Sequence, residues 1–280
     1  MPEQMVAVNG AELCVESFGE PRSPAILLIG GAACSMDLWS PRLCELLAAQ
    51  GRQVIRYDHR DTGRSTSYPP GAPGYTGPDL AADAAGLIDA LSGGRAHLVG
   101  LSMGGGIAQY LAVHQPEKVA TLTLMSTSPG PAGDLPPPAK RIREAFENPL
   151  PEPDWADPAA VADYLVESER PYAGPKSFDE AQARAVAQLV VARTVNVESS
   201  AKNHWLLEGG EEVRPRLAEV SAPTLVIHGT EDPFFPPGHG EALAREITGA
   251  RLLLLDGVGH QAPPPSTWDT VVTAIARHTA

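Results

Sequence analysis

Ser102 sits within Gly100-Leu101-Ser102-Met103-Gly104, between the apolar run 96–99 and a helix-forming stretch over 105–113. The pattern is strand, sharp turn, helix, with a hydroxyl at the tip of the turn. Small residues on either side admit a cramped backbone that a Cβ would obstruct. Such a turn pushes the hydroxyl clear of the sheet and sets the Met103 N–H at the positive end of the next helix. The chemistry implied is nucleophilic attack, with half of an oxyanion-stabilising site supplied by the same segment. In a chain with 27 glycines the five-residue pattern alone is weak. Its weight comes from the strand before it and from an acid and a histidine further on.

An attacking hydroxyl needs a base, and the base needs an orienting acid. Asp232 lies in His228-Gly229-Thr230-Glu231-Asp232-Pro233, directly after the apolar run 224–228. His260 lies in Gly257-Val258-Gly259-His260, directly after the run 251–255. Both therefore fall at carboxyl ends of strands, on the same rim as Ser102. Glu231 competes with Asp232 for the acid, and the aspartate before Pro233 is preferred. His239 competes with His260 for the base. His97 and His228 fall in strands, where a hydrogen-bonded structural role is expected, and Asp256 belongs to a surface turn. His59, His114, His204 and His278 have no supporting constellation apart from the loop after the run 25–29. The second oxyanion donor is expected in Gly30-Gly31-Ala32-Ala33, after the run 25–29, where small residues let backbone N–H groups approach a charged oxygen. The assigned donors are the N–H groups of Ala32 and Met103. Cys34, beside this loop, is read as space-filling.

The elements that must position these groups alternate. A hairpin over 5–8 and 12–18 reverses at Asn9-Gly10, a two-residue turn signal. Short apolar runs at 25–29, 53–57, 96–99, 120–125, 224–228 and 251–255 read as fully covered parallel strands. Helical patterns fall at 41–50, 79–91, 103–114, 239–247 and 267–278, with Pro41 and Asp79 suited to first turns. The fold class is α/β, a mostly parallel doubly wound sheet whose ligands bind beyond the carboxyl ends of its strands. Residues 129–220 break the rhythm: a proline-dense opening over 129–158, then helical patches at 159–169 and 178–197. An excursion of that length inside a compact fold is functional or disordered. It is read as an inserted helical cap (lid) over a core formed by 1–128 and 221–280, the alternative being a loosely ordered linker. Trp39, Trp205, Phe234 and Phe235 are candidates for the substrate pocket, each equally explicable as packing.

Bulk properties narrow the classes. The chain has 280 residues, 43% of them hydrophobic and 20% charged, enough for a sizeable core. A net charge of −13 opposes nucleic-acid binding, which needs a basic footprint. The amino terminus carries Glu3, Glu12, Glu16 and Glu20 and no long apolar stretch, so neither a secretory signal nor a membrane anchor is expected. Cys14, Cys34 and Cys44 lack zinc spacing and are read as reduced, buried thiols of a cytoplasmic protein. There is no H-E-x-x-H, paired C-x-x-C, P-loop or G-x-G-x-x-G, so no metal or cofactor is called for. Nothing in the sequence specifies an oligomeric state.

Nearly the whole chain resembles the α/β-hydrolase fold family, in particular its aclacinomycin methylesterase-like members. The likeness is carried by Val54-Ile55-Arg56-Tyr57-Asp58-His59-Arg60-Asp61-Thr62-Gly63-Arg64-Ser65, by residues 95–103 and by residues 223–232. The family's triad falls on Ser102, Asp232 and His260, and its oxyanion positions on Ala32 and Met103. The resemblance implies a capped serine carboxylesterase working through an acyl-enzyme on a small-molecule ester, with a methyl ester of an aromatic polyketide as one candidate. The charged residues of 58–65 are expected to brace the floor of the site. Gly30-Gly31 stands where many relatives have His-Gly, and Asp61 where glycine is usual. Lactonase, perhydrolase or carbon–carbon bond hydrolase chemistry would use the same triad, and a ligand-binding protein would use the same scaffold.

Overall fold

Asn9 and Gly10 both take positive φ, 46° and 74°, the requirement of the two-residue turn whose twist matches a hairpin. They join β1 (Gln4–Val8) to β2 (Ala11–Phe18). The computed structural model describes residues 2–130 and 133–280. Met1, Pro131 and Ala132, which fall in the expected core and cap ranges, lie outside the described residues.

The remaining strands are β3 (Ala25–Ile29), β4 (Gln53–Tyr57), β5 (Ala96–Leu101), β6 (Val119–Met125), β7 (Thr224–Gly229) and β8 (Arg251–Leu255). They form one sheet in the order β1-β2-β4-β3-β5-β6-β7-β8, antiparallel through β1, β2 and β4 and parallel from there on. From β3 the chain passes through α1 (Pro41–Ala48) to β4 on one side. It then returns through α2 (Gly77–Leu91) to β5 on the other. The loops after β3 and β5 thus diverge from neighbouring strands and leave a crevice between them. Register aligns Ile29 with Gly100, so both strands end at one level.

Each face of the sheet is covered. α2, α3 (Met103–His114) and α8 (Gly238–Glu246) pack on one side around Leu27, Leu98 and Leu122. On the other side α1 and α9 (Trp268–His278) pack around Ile26, Val99 and Ile227. Each such fully buried aliphatic side chain contributes about 1.5–3 kcal/mol. One expectation fails here. The run 251–255 is an edge strand, not a fully covered one: Arg251 and Leu254 are exposed, Leu254 at 43%. Among the described residues no strand lies beyond β8 in the sheet order, so part of its side-chain surface faces solvent.

Between β6 and β7 lie α4 (Lys140–Glu147), α5 (Pro158–Glu169), α6 (Glu180–Arg193) and α7 (Val197–Lys202). Asp157, Asp179 and Asn196 cap the last three through their side-chain oxygens. The expected helix over 178–197 is interrupted after Arg193. Thr194 takes extended backbone, and the Val195 N–H donates to Gly63 O at 2.8 Å. The apolar core of α5 and α6 is small: Ala162, Val166 and Ala187, with a few partly buried neighbours. Polar anchors tie this excursion to the sheet. The buried Arg193 guanidinium donates to Asp37 at 2.6 Å, Asp58 at 2.8 Å and Glu3 at 2.9 Å. Asn203 donates to Asp61 Oδ2 at 2.9 Å.

Candidate active site

Ser102 has φ 55° and ψ −117°, a conformation costly for any residue with a side chain. The surroundings impose it. A Cβ at Gly100 would run into the Gly104 carbonyl, and one at Gly104 into the carbonyls of Ile29 and Gly30. Strand β5 and helix α3 therefore meet more closely than side chains allow. The Ser102 N–H donates to Met125 O at 2.9 Å, and its carbonyl accepts from Thr127 Oγ1 at 2.8 Å and Gly105 N–H at 2.9 Å. With every backbone group of the serine held, its Oγ is aimed by the main chain. Met103 opens α3, where first-turn N–H groups have no helical partner and carry the positive end of the dipole.

Asp232 follows β7 and is buried, 3% exposed. Its Oδ1 accepts from the N–H groups of Phe234 at 3.0 Å and Phe235 at 2.8 Å, which leaves Oδ2 for His260 Nδ1 at 2.9 Å. His260 follows β8, and its Nε2 lies 2.9 Å from Ser102 Oγ. The network assigns the tautomer: Nδ1–H donates to the carboxylate, and the serine hydroxyl donates to Nε2. The Tyr172 carbonyl, between α5 and α6, accepts the His260 backbone N–H at 2.8 Å. Glu231, the competing acid, is exposed. His228 lies 3.6 Å from Asp232 Oδ2 but donates from Nε2 to Phe235 O at 2.7 Å. Burial lowers its pKa, so it remains a neutral support. His239 spans Ser128 Oγ and Pro136 O, both at 2.9 Å, and pins the loop after β6.

The alpha/beta hydrolase fold family matches residues 24–263. The chain is 32% identical, over all of its length and 98% of the other, to rhodomycin D methylesterase DauP from Streptomyces sp. (strain C5). The crystal structure of the enol-lactonase from Burkholderia xenovorans LB400 superposes with a TM-score of 0.75 at 26% identity, covering 98% of this chain and 99% of that one. For the esterase RhEst1 from Rhodococcus sp. ECU1013 the TM-score is 0.79 at 22% identity, with 100% of both chains covered, a likeness of fold. This chain belongs to the alpha/beta hydrolase fold family.

In this alpha/beta hydrolase the loop after β3 reaches Ser102. A Cβ at Gly31 would sit 3.5 Å from that of Ser102. Among the described residues neither the Ala32 nor the Met103 N–H is donated to protein. Of the pocket candidates, Phe234 and Phe235 stand edge-on to His260, with ring centroids 5.1 and 5.4 Å away. Trp205 lies farther out and exposed, meeting Phe146 at 6.0 Å, which in turn meets Phe234 at 6.1 Å. Trp39 is not part of this row. It is 1% exposed and packs in the core beneath α1, because the turn that carries it folds back toward Arg56, whose guanidinium donates to Trp39 O.

Sequence reasoning passed over several residues that gather here. Glu169, at the end of α5, is exposed as a residue, yet the protein around its carboxyl desolvates the charge and raises its pKa, with His260 opposing. Burial, together with the charge of Glu169, pushes the Cys34 thiol far above its ordinary range, so no thiolate competes with Ser102. His204 reaches Ala33 from the excursion. No local spacing could have indicated Glu169 or His204, because each is brought in by a helix distant in sequence, whereas Cys34 adjoins the loop in the chain itself. The 58–65 loop is tied down by Arg60 to Asp83 at 2.7 Å and by Asp61 to Tyr75 at 2.8 Å. Among the described residues no group of His, Cys, Asp and Glu could hold a metal ion, and no helix is long and apolar enough to cross a membrane.

Proposed function

We propose that this chain is a serine carboxylesterase that cleaves a small-to-medium hydrophobic carboxylic ester through an acyl-enzyme, with residues 129–220 as its cap. The observation that carries the reading is the continuous relay from Ser102 Oγ through His260 to Asp232, 2.9 Å at each step. His260 takes the hydroxyl proton as Oγ attacks the ester carbonyl, and the Asp232 carboxylate stabilises the imidazolium that forms. The N–H groups of Ala32 and Met103 receive the developing oxyanion. His260 then protonates the departing alcohol, and a water activated by the same imidazole releases the acid.

The similarity to a rhodomycin D methylesterase supports a methyl ester as the bond cleaved. The aromatic row from Trp205 and Phe146 to Phe234 supports a ring-bearing acyl portion, since rings stack or meet edge-on. A lactonase reading is favoured by the likeness to an enol-lactonase, and product masses from matched methyl-ester and lactone substrates separate the two. The deciding variant is Ser102→Ala. Turnover of p-nitrophenyl butyrate is expected to fall at least about 10⁴-fold with the thermal melt unchanged, and fluorophosphonate labelling to vanish. Activity within tenfold of the parent would remove Ser102 as nucleophile.

A further inference from the structure

We propose that His204 is a positioning residue that holds the oxyanion loop in its working conformation from the β6–β7 excursion. This rests on the serine-hydrolase reading above. The loop is a four-residue turn closed by the Cys34 N–H on Gly31 O at 3.3 Å. Its third residue, Ala33, has φ 60°, while Ala32 does not take positive φ. That combination, with the closing bond, fits a type II turn, which wants glycine at the third position. The commoner type I turn would relieve Ala33 by rotating the Ala32–Ala33 peptide. In the peptide before it, the Gly31 carbonyl faces Cys34, so the trans Ala32 N–H points the opposite way. Both turn types keep the Gly31 O–Cys34 N–H bond and hence that direction, so the turn type acts on the Ala32–Ala33 peptide attached to the donor residue and not on the donor N–H itself.

His204 selects the strained form. Its Nδ1 accepts the Ala33 N–H at 2.8 Å across 171 residues of sequence, and its Nε2–H donates to Arg60 O at 2.9 Å. The second bond fixes the tautomer that leaves Nδ1 free to accept. Ser200 Oγ donates to Ala33 O at 3.3 Å, so both peptides flanking Ala33 are held by the excursion. The imidazole is buried and meets the rings of His59 at 5.8 Å and Tyr75 at 6.3 Å, both edge-on. His59 in turn donates from Nε2 to Gly30 O at 3.1 Å. Two neighbouring imidazoles therefore grip the two ends of the loop. Burial lowers the pKa of each to about 4, which keeps both neutral. The oxyanion site is complete only when α7 and the turn after it are docked.

The test uses p-nitrophenyl butyrate with active sites counted by fluorophosphonate labelling. His204→Phe keeps a ring but loses the acceptor, and kcat per labelled site is expected to fall about 10- to 100-fold while KM changes less than about threefold. Affinity for a trifluoromethyl ketone, whose adduct places an oxyanion at the same point, is expected to fall in parallel. His204→Asn sets Oδ1 near the place of Nδ1 and is expected to recover at least about fivefold. His204→Gln directs its amide toward Arg60 and is expected not to recover. An undiminished kcat per site in His204→Phe overturns the proposal. So does equality of the Asn and Gln variants, which decides the matter if the Phe variant does not fold. A parent protein that neither turns over the ester nor takes the fluorophosphonate removes the serine-hydrolase reading, and this proposal with it.

Discussion

The two N–H groups proposed to hold the oxyanion are positioned by different parts of the molecule. Met103 is set locally: strand, turn and helix are contiguous, and Gly100 and Gly104 let them interlock. Ala32 is set remotely, in a turn whose strained third residue is held by Ser200 and His204 of the excursion. The first arrangement belongs to the sheet, which is stabilised by extensive apolar burial. The second depends on a segment whose own apolar core is small and whose attachment is mainly polar. One half of the site is rigid by construction, and the other is rigid only while its partner segment stays in place. Elements with little apolar burial open at lower free energy than the core around them.

Substitutions should separate these halves. Gly104→Ala is expected to do most damage, because its Cβ meets the backbone carbonyls of β3, which cannot move aside. A loss above about 5 kcal/mol or failure to fold is expected in urea denaturation. Gly31→Ala, in the other half, meets only side chains at 3.4–3.8 Å, and a change below about 1 kcal/mol is expected there. Next comes Arg193→Leu. It strands Asp37 and Asp58 without their cation, an expected cost of about 3–5 kcal/mol, since removing one partner of a buried ion pair leaves the other charge uncompensated. Limited proteolysis should cut first between β6 and β7 in that variant, and cleavage spread evenly over the chain would contradict the division.

A further effect is graded by pH. His59 and His204 have folded pKa values lowered to about 4 by burial. An unfolded imidazole titrates near ~6.5. Above that pH neither state binds the proton and stability is full. As pH falls from about 6.5 toward about 4, the unfolded chain takes up protons that the folded chain refuses. Each imidazole then removes up to about 1.4 kcal/mol per pH unit. Urea midpoints at successive pH values should fall accordingly, and His204→Phe should show a shallower decline than the parent. Equal slopes would mean that His204 is not held neutral.

Much of the fold was legible because its signals are local. The hairpin at Asn9-Gly10, the strands ending before Ser102 and Asp232, and the helices beginning at Pro41 and Met103 follow from turn chemistry, apolar runs and caps. What misled was of two kinds. The leucine-rich run 251–255 reads as buried, but its place at the end of the sheet exposes Leu254. Composition cannot report a strand's place in the order. The proline-dense 129–158 stretch hid α4, because Lys140–Glu147 lies between its prolines. Trp39 looked like a pocket residue and Phe146 did not. The first is tucked beneath α1 and the second is half exposed beside Trp205.

By itself the sequence determined which groups stand at strand ends: Ser102 in its glycine-flanked turn, and Asp232 and His260 placed after their strands. Backbone sterics act between near neighbours and leave a readable trace. Only the tertiary structure decided that Ala33 would be held by His204 and that Arg193 would be buried among Asp37, Asp58 and Glu3. Those pairings join residues far apart in the chain. They arise from how helices dock, and no periodicity or spacing along the sequence encodes them.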